Sequence, residues 1–223
     1  MKTSNKILIV SGGHISIPFV KTYLQKEDFD YIIAADHGLE AADELGLPID
    51  CILGDFDSVS KELINKYKNK EKEEGSLIIR KYNPKKDYTD TQIAIETALT
   101  LKPDEIVIIG GSGTRLDHTI ANIHNLLIPL KNNIRCSLVD NYNKLYLINE
   151  PTEIYKNKSF GNYISLLPLT KQVKNVSLKG FKYPLDKVDM YLGDSVGVSN
   201  EITEEKASIL FDDGILIIIE TRD

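Results

Sequence analysis

The stretch that decides the fold is Glu-Ile-Val-Ile-Ile-Gly-Gly-Ser-Gly-Thr-Arg-Leu-Asp-His, residues 105–118. Its apolar part, 106–109, is typical of a strand in a parallel sheet that is covered on both faces. A glycine-rich segment then opens a helical pattern at residues 117–130. Within that pattern the spacing predicts one apolar helical face, formed by Ile120, Ile123, Leu127 and Leu130. Strand, glycine loop and helix in this order indicate an α/β architecture.

The same alternation of β-branched runs and helical patterns extends over the first 140 residues. Strands are predicted at 7–10, 31–35, 51–53, 77–81, 105–109 and 135–139. Helices are predicted at 18–25, 39–45, 61–68, 90–101 and 117–130. Strand and helix repeated with short connections predict parallel strands joined by right-handed crossovers. We therefore expect residues 1–141 to form an α/β domain, a mostly parallel sheet with flanking helices.

The pattern changes after about Asn141, where only strand-like segments follow. These segments lie at 144–148, 163–168, 173–178, 188–191 and 215–220. Turn residues separate them, and short strands at this spacing favour a small antiparallel sandwich or barrel. The predicted second domain is 142–223, a small antiparallel β-sandwich, with the boundary near residues 140–144.

Composition and charge exclude several classes of function. The net charge is −6, and no basic face is visible that could neutralise a nucleic-acid backbone. The first apolar run, 7–10, is too short for a signal-peptide core or a membrane span. The chain has two cysteines, Cys51 and Cys136, both in apolar strand-like runs. Two cysteines favour buried reduced thiols in a cytoplasmic protein, and a zinc site is the less favoured alternative.

Glycine and aspartate follow the predicted strands of the first domain one after another. The segments are 11–14 (Ser-Gly-Gly-His), 35–38 (Ala-Asp-His-Gly), 54–58 (Gly-Asp-Phe-Asp-Ser), 86–90 (Lys-Asp-Tyr-Thr-Asp) and 110–118. Ligands of open parallel sheets bind beyond the carboxyl ends of the strands. Five such segments at one edge of a sheet therefore predict a binding site there.

Asp55 and Asp57 are the first candidate metal ligands. In an extended segment, residues i and i+2 project to the same side, so both carboxylates can face one cation. Mg²⁺ prefers such hard oxygen ligands, together with waters and substrate phosphates. The alternative is an Asx-type turn that leads into a helix, with one aspartate as the cap.

Asp87 and Asp90 allow two interpretations of equal weight. An aspartate at a helix N-terminus with an acidic residue three positions on resembles a capping box, and negative charge suits that end of a helix. Asp90 is also placed where it could complete the metal shell begun by Asp55 and Asp57.

The segment 110–118 has the features of a phosphate-binding loop. Its glycines allow backbone N–H groups to approach phosphate oxygens, and Arg115 adds a cationic fork. It matches neither the P-loop pattern nor the GxGxxG dinucleotide pattern. His118 is a base or, equally, a helix-entry histidine bonded to the backbone. The polar loop 197–201 could present a hydroxyl and an amide to a ligand, and an ordinary turn would look the same.

These motifs together resemble the thiamine pyrophosphokinase family. The resemblance rests on the blocks 54–58, 87–90, 115–118 and 197–201, in the family's order and over essentially the whole chain. It implies an α/β catalytic domain that binds ATP and Mg²⁺, a β-sandwich domain that binds thiamine, and a homodimer. It also implies transfer of pyrophosphate from Mg²⁺-ATP to the thiamine hydroxyl, with AMP and thiamine pyrophosphate as products.

The resemblance also implies a role for individual residues. The metal site would be Asp55, Asp57 and Asp90, which with Arg115 form the catalytic set. The nucleotide-binding residues that the resemblance implies would be Thr89, Arg115 and Asp117, and the strand-end segments add Gly12, Gly13, Asp36 and His118 to this set. Ser199 and Asn200 would contact thiamine, from the partner subunit. Two features depart from the family pattern: Thr114 replaces a frequent glycine, and the chain has no tryptophan to stack on the pyrimidine.

Two other functions remain open at this stage. One is a metal-dependent nucleotide phosphohydrolase, which would use water as the acceptor on the same carboxylates. The other is a nucleotide-sensing module without turnover, in which the aspartates would be helix caps. Dependence on thiamine would separate the transferase from the hydrolase.

Overall fold

A computed structural model of the chain describes residues 5–57, 59–75, 77–82 and 88–223, and of Glu74 it describes only the backbone. Two compact units are present, Met1–Asn141 and Tyr142–Asp223. The motif residues Ser58 and Asp87 lie outside the described residues.

The first unit is built on six parallel strands in the order β4-β3-β2-β1-β5-β6. The strands are β1 (Lys6–Val10), β2 (Tyr31–Ala35), β3 (Cys51–Gly54), β4 (Ile78–Lys81), β5 (Glu105–Ile109) and β6 (Arg135–Val139). The helices are α1 (Ile17–Leu24), α2 (Gly38–Glu44), α3 (Lys61–Glu74), α4 (Asp90–Thr100), α5 (Leu116–Asn125) and α6 (Leu127–Lys131). The predicted α/β class with a mostly parallel sheet is confirmed.

The strand order reverses between β1 and β5, which are direct neighbours. From β1 the chain builds outward through β2, β3 and β4, and β5 then pairs with the other side of β1. Such a reversal makes the carboxyl ends of these two strands the preferred ligand site of an open α/β sheet. The segments that follow them are the two glycine-rich ones at 11–14 and 110–118.

The strand β4 lacks the apolar, buried character that is typical of a parallel sheet covered on both faces. Val10, Ile33, Leu53 and Ile108 are fully buried in the inner strands, whereas Ile78 in β4 is 42% exposed. The strand β4 pairs only with β3 and lies at the edge of the sheet. Its sequence Ile-Ile-Arg-Lys carries the charged residues that suit an edge strand.

The single helix predicted at residues 117–130 is wrong, and its predicted apolar face is buried only in part. α5 ends at Asn125 and α6 begins at Leu127. Pro129 lacks a backbone N–H and cannot donate to the carbonyl four residues earlier, which favours a break here. The buried residues of this region are Asn122, Leu126 and Pro129, while Ile120 is 52% exposed. Asn122 is therefore the buried residue of α5, while Ile123, Leu127 and Leu130 of the predicted face are half-buried.

The second unit contains two antiparallel sheets, ordered β7-β13-β9 and β11-β10-β12-β8. The strands are β7 (Asn143–Ile148), β8 (Thr152–Tyr155), β9 (Tyr163–Pro168), β10 (Gln172–Lys179), β11 (Leu185–Tyr191), β12 (Lys206–Leu210) and β13 (Leu216–Thr221). Both sheets contribute to one hydrophobic core, for example Leu166 and Ile218 from one sheet, and Val176 and Ile209 from the other. This is the predicted β-sandwich.

Two strands of the sandwich, β8 and β12, were not predicted from the sequence. β12 reads Lys-Ala-Ser-Ile-Leu and buries only Ala207 and Ile209. β8 has four residues and buries only Ile154. Neither has a long apolar run, and both become strands because they pair with each other, with β12 also pairing with β10. Pairing between distant segments leaves little trace in local sequence.

Both cysteines are buried free thiols, as predicted. Cys51 lies in β3 and Cys136 in β6. Burial raises the pKa of Cys51 to about 11 and raises that of Cys136 as well. Both thiols are therefore protonated at neutral pH, which makes them poor metal ligands and nucleophiles. Among the described residues, none of the helices has the length and apolar character that crossing a bilayer requires.

Candidate active site

A cavity of about 510 Å³ lies at the switch point of the first unit. Its walls come from the segments after β1, β2 and β5 and from the N-terminal end of α4. The predicted site residues that line it are Gly12, Gly13, Asp36, Thr89, Asp90, Arg115 and His118. The structure thus brings together seven residues that are up to 106 positions apart in sequence.

Two glycine-rich segments interlock at the floor of this cavity. The N–H of Gly13 donates to the Gly110 carbonyl at 2.8 Å, and the N–H of His14 donates to the Ser112 carbonyl at 2.8 Å. Gly110 has φ +68°, a conformation that favours glycine. A Cβ atom at Gly13 would lie 2.3 Å from the Ser112 carbonyl oxygen and 2.4 Å from that of Gly110. The two segments can approach this closely only because residue 13 has no side chain.

The N-terminal end of α4 is tied directly to the end of β1. The Thr89 hydroxyl accepts a hydrogen bond from the Gln92 N–H at 3.2 Å and is the N-cap. Asp90 is the first helical residue, so the capping role belongs to Thr89 and Asp90 lines the cavity. The hydroxyls of Ser11 and Thr91 lie 2.5 Å apart and are both buried. This contact holds Thr89 and Asp90 beside the glycine segment 11–14.

Asp36 enters the cavity wall from the end of β2. Its backbone has φ +46°, and its N–H donates to the Leu53 carbonyl at 2.7 Å. Gly54, the last residue of β3, packs so closely that an added Cβ would lie 3.2 Å from the Asp36 Cα. The segment that contains Asp55 and Asp57 therefore begins against a residue of the cavity wall.

The segment around Asp55 and Asp57 differs from the predicted extended geometry. Phe56 has φ +63°, and the Asp57 N–H donates to Asp55 Oδ1 at 3.0 Å. This is the Asx-type turn considered as the alternative, although the helix cap of α3 is Ser60 and not an aspartate. Neither Asp55 nor Asp57 lines the described cavity. Asp57 is exposed, and Asp55 is partly buried.

Arg115 and Asp117 form an ion pair at the mouth of the cavity. Arg115 Nη2 lies 2.6 Å from Asp117 Oδ2, and Arg115 Nε lies 3.2 Å from Asp117 Oδ1. The two side chains are 70% and 65% exposed. The hydrogen bond from Arg115 lowers the pKa of Asp117 to about 2 and, in return, the pKa of Arg115 is raised. Asp117 itself is not part of the cavity wall.

His118 is exposed and lines the cavity beside Arg115. Among the described residues, its side chain makes no hydrogen bond, so the predicted bond to the backbone at the helix entry is not seen. Its role as a base stays a prediction.

In the second unit, Asn200 is buried and its amide bonds to the backbone of a neighbouring loop. Asn200 Oδ1 accepts from the Tyr183 N–H at 3.0 Å and from the Glu201 N–H at 2.9 Å. Its Nδ2 donates to the Tyr183 carbonyl at 2.7 Å. Ser199, with φ +56°, is exposed, and its N–H donates to Ser165 Oγ at 3.0 Å. Asn200 thus holds Tyr183 in place, and Ser199 is the accessible residue of the pair.

Comparison with known proteins decides the family. The profile of the thiamin pyrophosphokinase catalytic domain matches residues 21–138, and that of the thiamin pyrophosphokinase vitamin B1 binding domain matches residues 151–216. The chain belongs to the thiamine pyrophosphokinase family. A thiamine pyrophosphokinase from Bacillus subtilis (strain 168) is 32% identical over the full length of both chains.

Solved structures of thiamine pyrophosphokinases share the fold. The crystal structure of the Bacillus subtilis enzyme has a TM-score of 0.85 and 31% identity, covering 98% of this chain and 100% of that one. The enzyme from Geobacillus thermodenitrificans has a TM-score of 0.83 and 27% identity, covering 98% of both chains. The chain is accordingly an enzyme, a thiamine diphosphokinase, and the hydrolase alternative receives no support.

Several other polar residues of the cavity were not assigned an individual role from the sequence. Four of them lie within the predicted strand-end segments: Ser11, His14, His37 and Ser112. Thr91 and Asn122 lie outside those segments and were missed. Asn122 lies inside a helix, and its only signal is a polar residue within an apolar pattern.

Proposed function

We propose that the cavity of the first unit binds ATP, and that the chain transfers its terminal pyrophosphate to the hydroxyl of thiamine, giving thiamine pyrophosphate and AMP. The observation that carries this proposal is the pair of interlocked glycine segments at the switch point between β1 and β5. Polyphosphates bind where backbone N–H groups can approach closely, and the absence of a side chain at Gly13 allows that approach.

The second glycine segment supplies hydrogen-bond donors for phosphate oxygens. In the described part of the chain, the N–H groups of Ser112, Gly113 and Thr114 donate to no protein acceptor. All three residues line the cavity, and Arg115 follows them directly. Three available donors and one guanidinium suit a group that carries several negative oxygens.

Of the three carboxylates proposed for Mg²⁺, Asp90 lines this cavity, and the turn that carries Asp55 and Asp57 begins against Asp36 of its wall. The described residues hold no cluster of three or more His, Cys, Asp or Glu side chains that could bind a metal alone. Mg²⁺ does not need such a cluster, because it keeps waters and binds through one or two carboxylates plus substrate phosphates. We assign it to Asp55, Asp57 and Asp90. When bound, Mg²⁺ would neutralise charge on the phosphate oxygens.

The protein's own contribution to the reaction is positioning and charge stabilisation. Phosphoryl-type transfer requires the attacking and leaving oxygens in line, and little covalent chemistry is left for the protein. Arg115 would stabilise charge that develops on the transferred group. The proton of the thiamine hydroxyl would go to Asp87, or to Asp90 in an arrangement where Asp55 and Asp57 alone hold the metal.

We assign thiamine binding to the second unit, residues 142–223, and ATP and Mg²⁺ binding to the first, residues 1–141. The match to the vitamin B1 binding domain supports the first assignment. The exposed Ser199 would contact thiamine, and Asn200 would hold its loop in place. A cytoplasmic homodimer without nucleic-acid or membrane partners completes the proposal.

AMP formation from Mg²⁺-ATP, measured with and without thiamine, tests the proposed function. We expect AMP only when thiamine is present, with an equal amount of thiamine pyrophosphate. AMP or ADP released without an acceptor would overturn the proposal in favour of hydrolysis.

The Asp55→Asn variant tests the metal assignment. The substitution keeps shape but removes a charge, so we expect kcat/KM to fall about 10- to 100-fold at ordinary Mg²⁺ and to recover partly as Mg²⁺ is raised. Steady-state kinetics over a Mg²⁺ titration measure this.

The matched control for this variant is Asp104→Asn. Asp104 lies just before β5, at the amino-terminal end of the strand and therefore away from the cavity at the carboxyl ends. Its Oδ2 accepts the Asn5 N–H at 2.9 Å. Its substitution should leave the Mg²⁺ dependence unchanged. Wild-type turnover of Asp55→Asn at ordinary Mg²⁺ would remove Asp55 from the metal site.

A further inference from the structure

Asn122 is a buried polar residue on α5 whose position needs an explanation. It is 5% exposed and lines the cavity of the first unit. Buried polar side chains are hydrogen-bonded in native structures, because an unpaired one is costly. Asparagine is also a weak helix former, so neither helix propensity nor burial favours it at this position.

The amide nitrogen of Asn122 has a hydrogen-bond partner in the protein. Its Nδ2 donates to the Gly111 carbonyl at 2.8 Å. A carbonyl oxygen can only accept, so the amide nitrogen is the end that faces Gly111. This bond helps to hold the glycine segment, which Ser112 also anchors through its Oγ at 2.8 Å from Asp140 Oδ2.

The other end of the amide, Oδ1, is open to the cavity. In the described part of the chain it accepts no hydrogen bond, and it is not among the polar atoms sealed away from solvent. An amide oxygen accepts but never donates. A side chain that is held at one end and open at the other therefore presents an acceptor to whatever fills the cavity.

The chemistry of Oδ1 excludes a phosphate group as its partner. Phosphate oxygens are acceptors, and they suit the N–H groups of Ser112, Gly113 and Thr114. Among the groups of ATP, only one that carries an N–H or O–H donor can bond to Oδ1. In ATP such donors lie only on the nucleoside part, as the ribose hydroxyls and the 6-amino group of the base.

We propose that Asn122 is a specificity-determining residue whose Oδ1 accepts a hydrogen bond from the nucleoside part of ATP, while its Nδ2 positions the phosphate-binding segment. This inference rests on the proposed function, since it requires the nucleotide to occupy this cavity. The alternative is a purely structural role, in which Asn122 only holds the glycine segment in place. In that case substitution of Asn122 would lower the affinity for all nucleotides alike. If Oδ1 accepts a hydrogen bond from the nucleotide, substitution also removes the preference for nucleotides that carry the donor.

The test is binding of Mg²⁺-nucleotides without thiamine, measured by calorimetry. The probes are ATP, 2′-deoxy-ATP, 3′-deoxy-ATP and purine riboside 5′-triphosphate, which lacks the 6-amino group. We expect the wild-type protein to bind one of the three analogues about 10-fold more weakly than ATP, the effect of one lost hydrogen bond to a buried acceptor. The identity of that analogue names the donor.

The variant Asn122→Leu keeps the branched shape of the side chain but removes both polar ends of the amide. It should bind ATP at least about 10-fold more weakly and should bind ATP and the weak analogue equally well. The matched control is Asn125→Leu on the same helix. Asn125 does not line the cavity, so this variant should keep both the affinity and the analogue ratio of the wild type. If Asn122→Leu does not fold, Asn122→Ser, which also removes Oδ1, should lose the same ratio.

The outcomes separate this inference from the proposed function. Equal binding of ATP and all three analogues by the wild type, or a wild-type ratio in the folded Asn122 variant, would overturn the inference alone. So would a variant with a changed KM for thiamine and unchanged nucleotide affinity. A wild-type protein that binds no nucleotide would overturn the proposed function itself.

Discussion

Replacing Arg115 by methionine should lower kcat/KM for pyrophosphate transfer by about 1000-fold, the range observed when an arginine that stabilises charge in phosphoryl transfer is lost. The fold should not suffer. The Arg115 side chain is 70% exposed and, among the described residues, forms its ion pair with Asp117 on the same segment. Exposed ion pairs contribute little to stability, so the melting temperature should stay close to that of the wild type. Steady-state kinetics and thermal unfolding measure the two effects separately.

The matched control for Arg115 is Lys206→Met. Lys206 also forms an exposed 2.6 Å ion pair, with Glu153, but it lies in the second unit on β12 and not on the glycine segment. This variant should keep both activity and stability. If Arg115→Met were as active as Lys206→Met, the assignment of Arg115 to the transferred phosphate would be wrong.

The loss of kcat/KM in Arg115→Met should be the same at every pH in the neutral range. Asp117 has its pKa lowered to about 2 by Arg115, and the pKa of Arg115 is raised, so both groups stay charged. A lowered carboxylate pKa means that the contribution of the pair is present above the ordinary aspartate range and is lost only as the pH falls toward 2. A pH–rate profile between 5 and 9 therefore reports on other groups.

Replacing Gly13 by alanine should lower kcat/KM by about 100-fold or more, because displacement of a substrate-positioning group by about 1 Å can have that effect. The added Cβ would lie 2.3 Å from the Ser112 carbonyl oxygen and 2.4 Å from that of Gly110. Both are backbone atoms, so the two segments must move apart and the hydrogen bond from the Gly13 N–H to Gly110 is strained. Overpacking of this kind typically costs about 1–3 kcal/mol of stability. Kinetics and denaturant unfolding measure both effects.

Gly12→Ala is the matched control, since it adds the same atom one residue earlier. The nearest atom to its Cβ would be the His37 Cβ at 3.1 Å, a tight contact that a small shift can relieve. We expect Gly12→Ala to lose much less activity and stability than Gly13→Ala. Equal effects of the two substitutions would show that the close approach of the glycine segments is not what matters.

Much of the fold could be predicted because its signals are local. The β-branched runs at β1, β2, β5 and β6 and the helix at α4 follow from periodicity and from residues next to one another in sequence. The failures have two causes. The short strands β8 and β12 depend on distant pairing partners. The break before Pro129 is a local effect of proline that the apolar periodicity of residues 117–130 masked.

For the candidate site, too, the features that are local in sequence could be predicted and those that depend on tertiary contacts could not. Glycine and aspartate at strand ends are local features, and they led to seven residues of the cavity wall. The turn geometry of Asp55 and Asp57 and the buried role of Asn200 needed backbone conformations and contacts that no spacing reveals. Asn122 was missed because a polar residue next to an apolar stripe gives no local sign that it is buried.

By itself, the sequence determined the α/β class, the following sandwich, the strand-end chemistry and the family, because each is written in short segments that are independent of distant contacts. Only the tertiary structure decided which strands are neighbours at the switch point, and therefore which two glycine segments meet. It also decided which face of α5 is buried. Both depend on packing between residues that are far apart in the chain, where burial and steric fit outweigh the preference of any single segment.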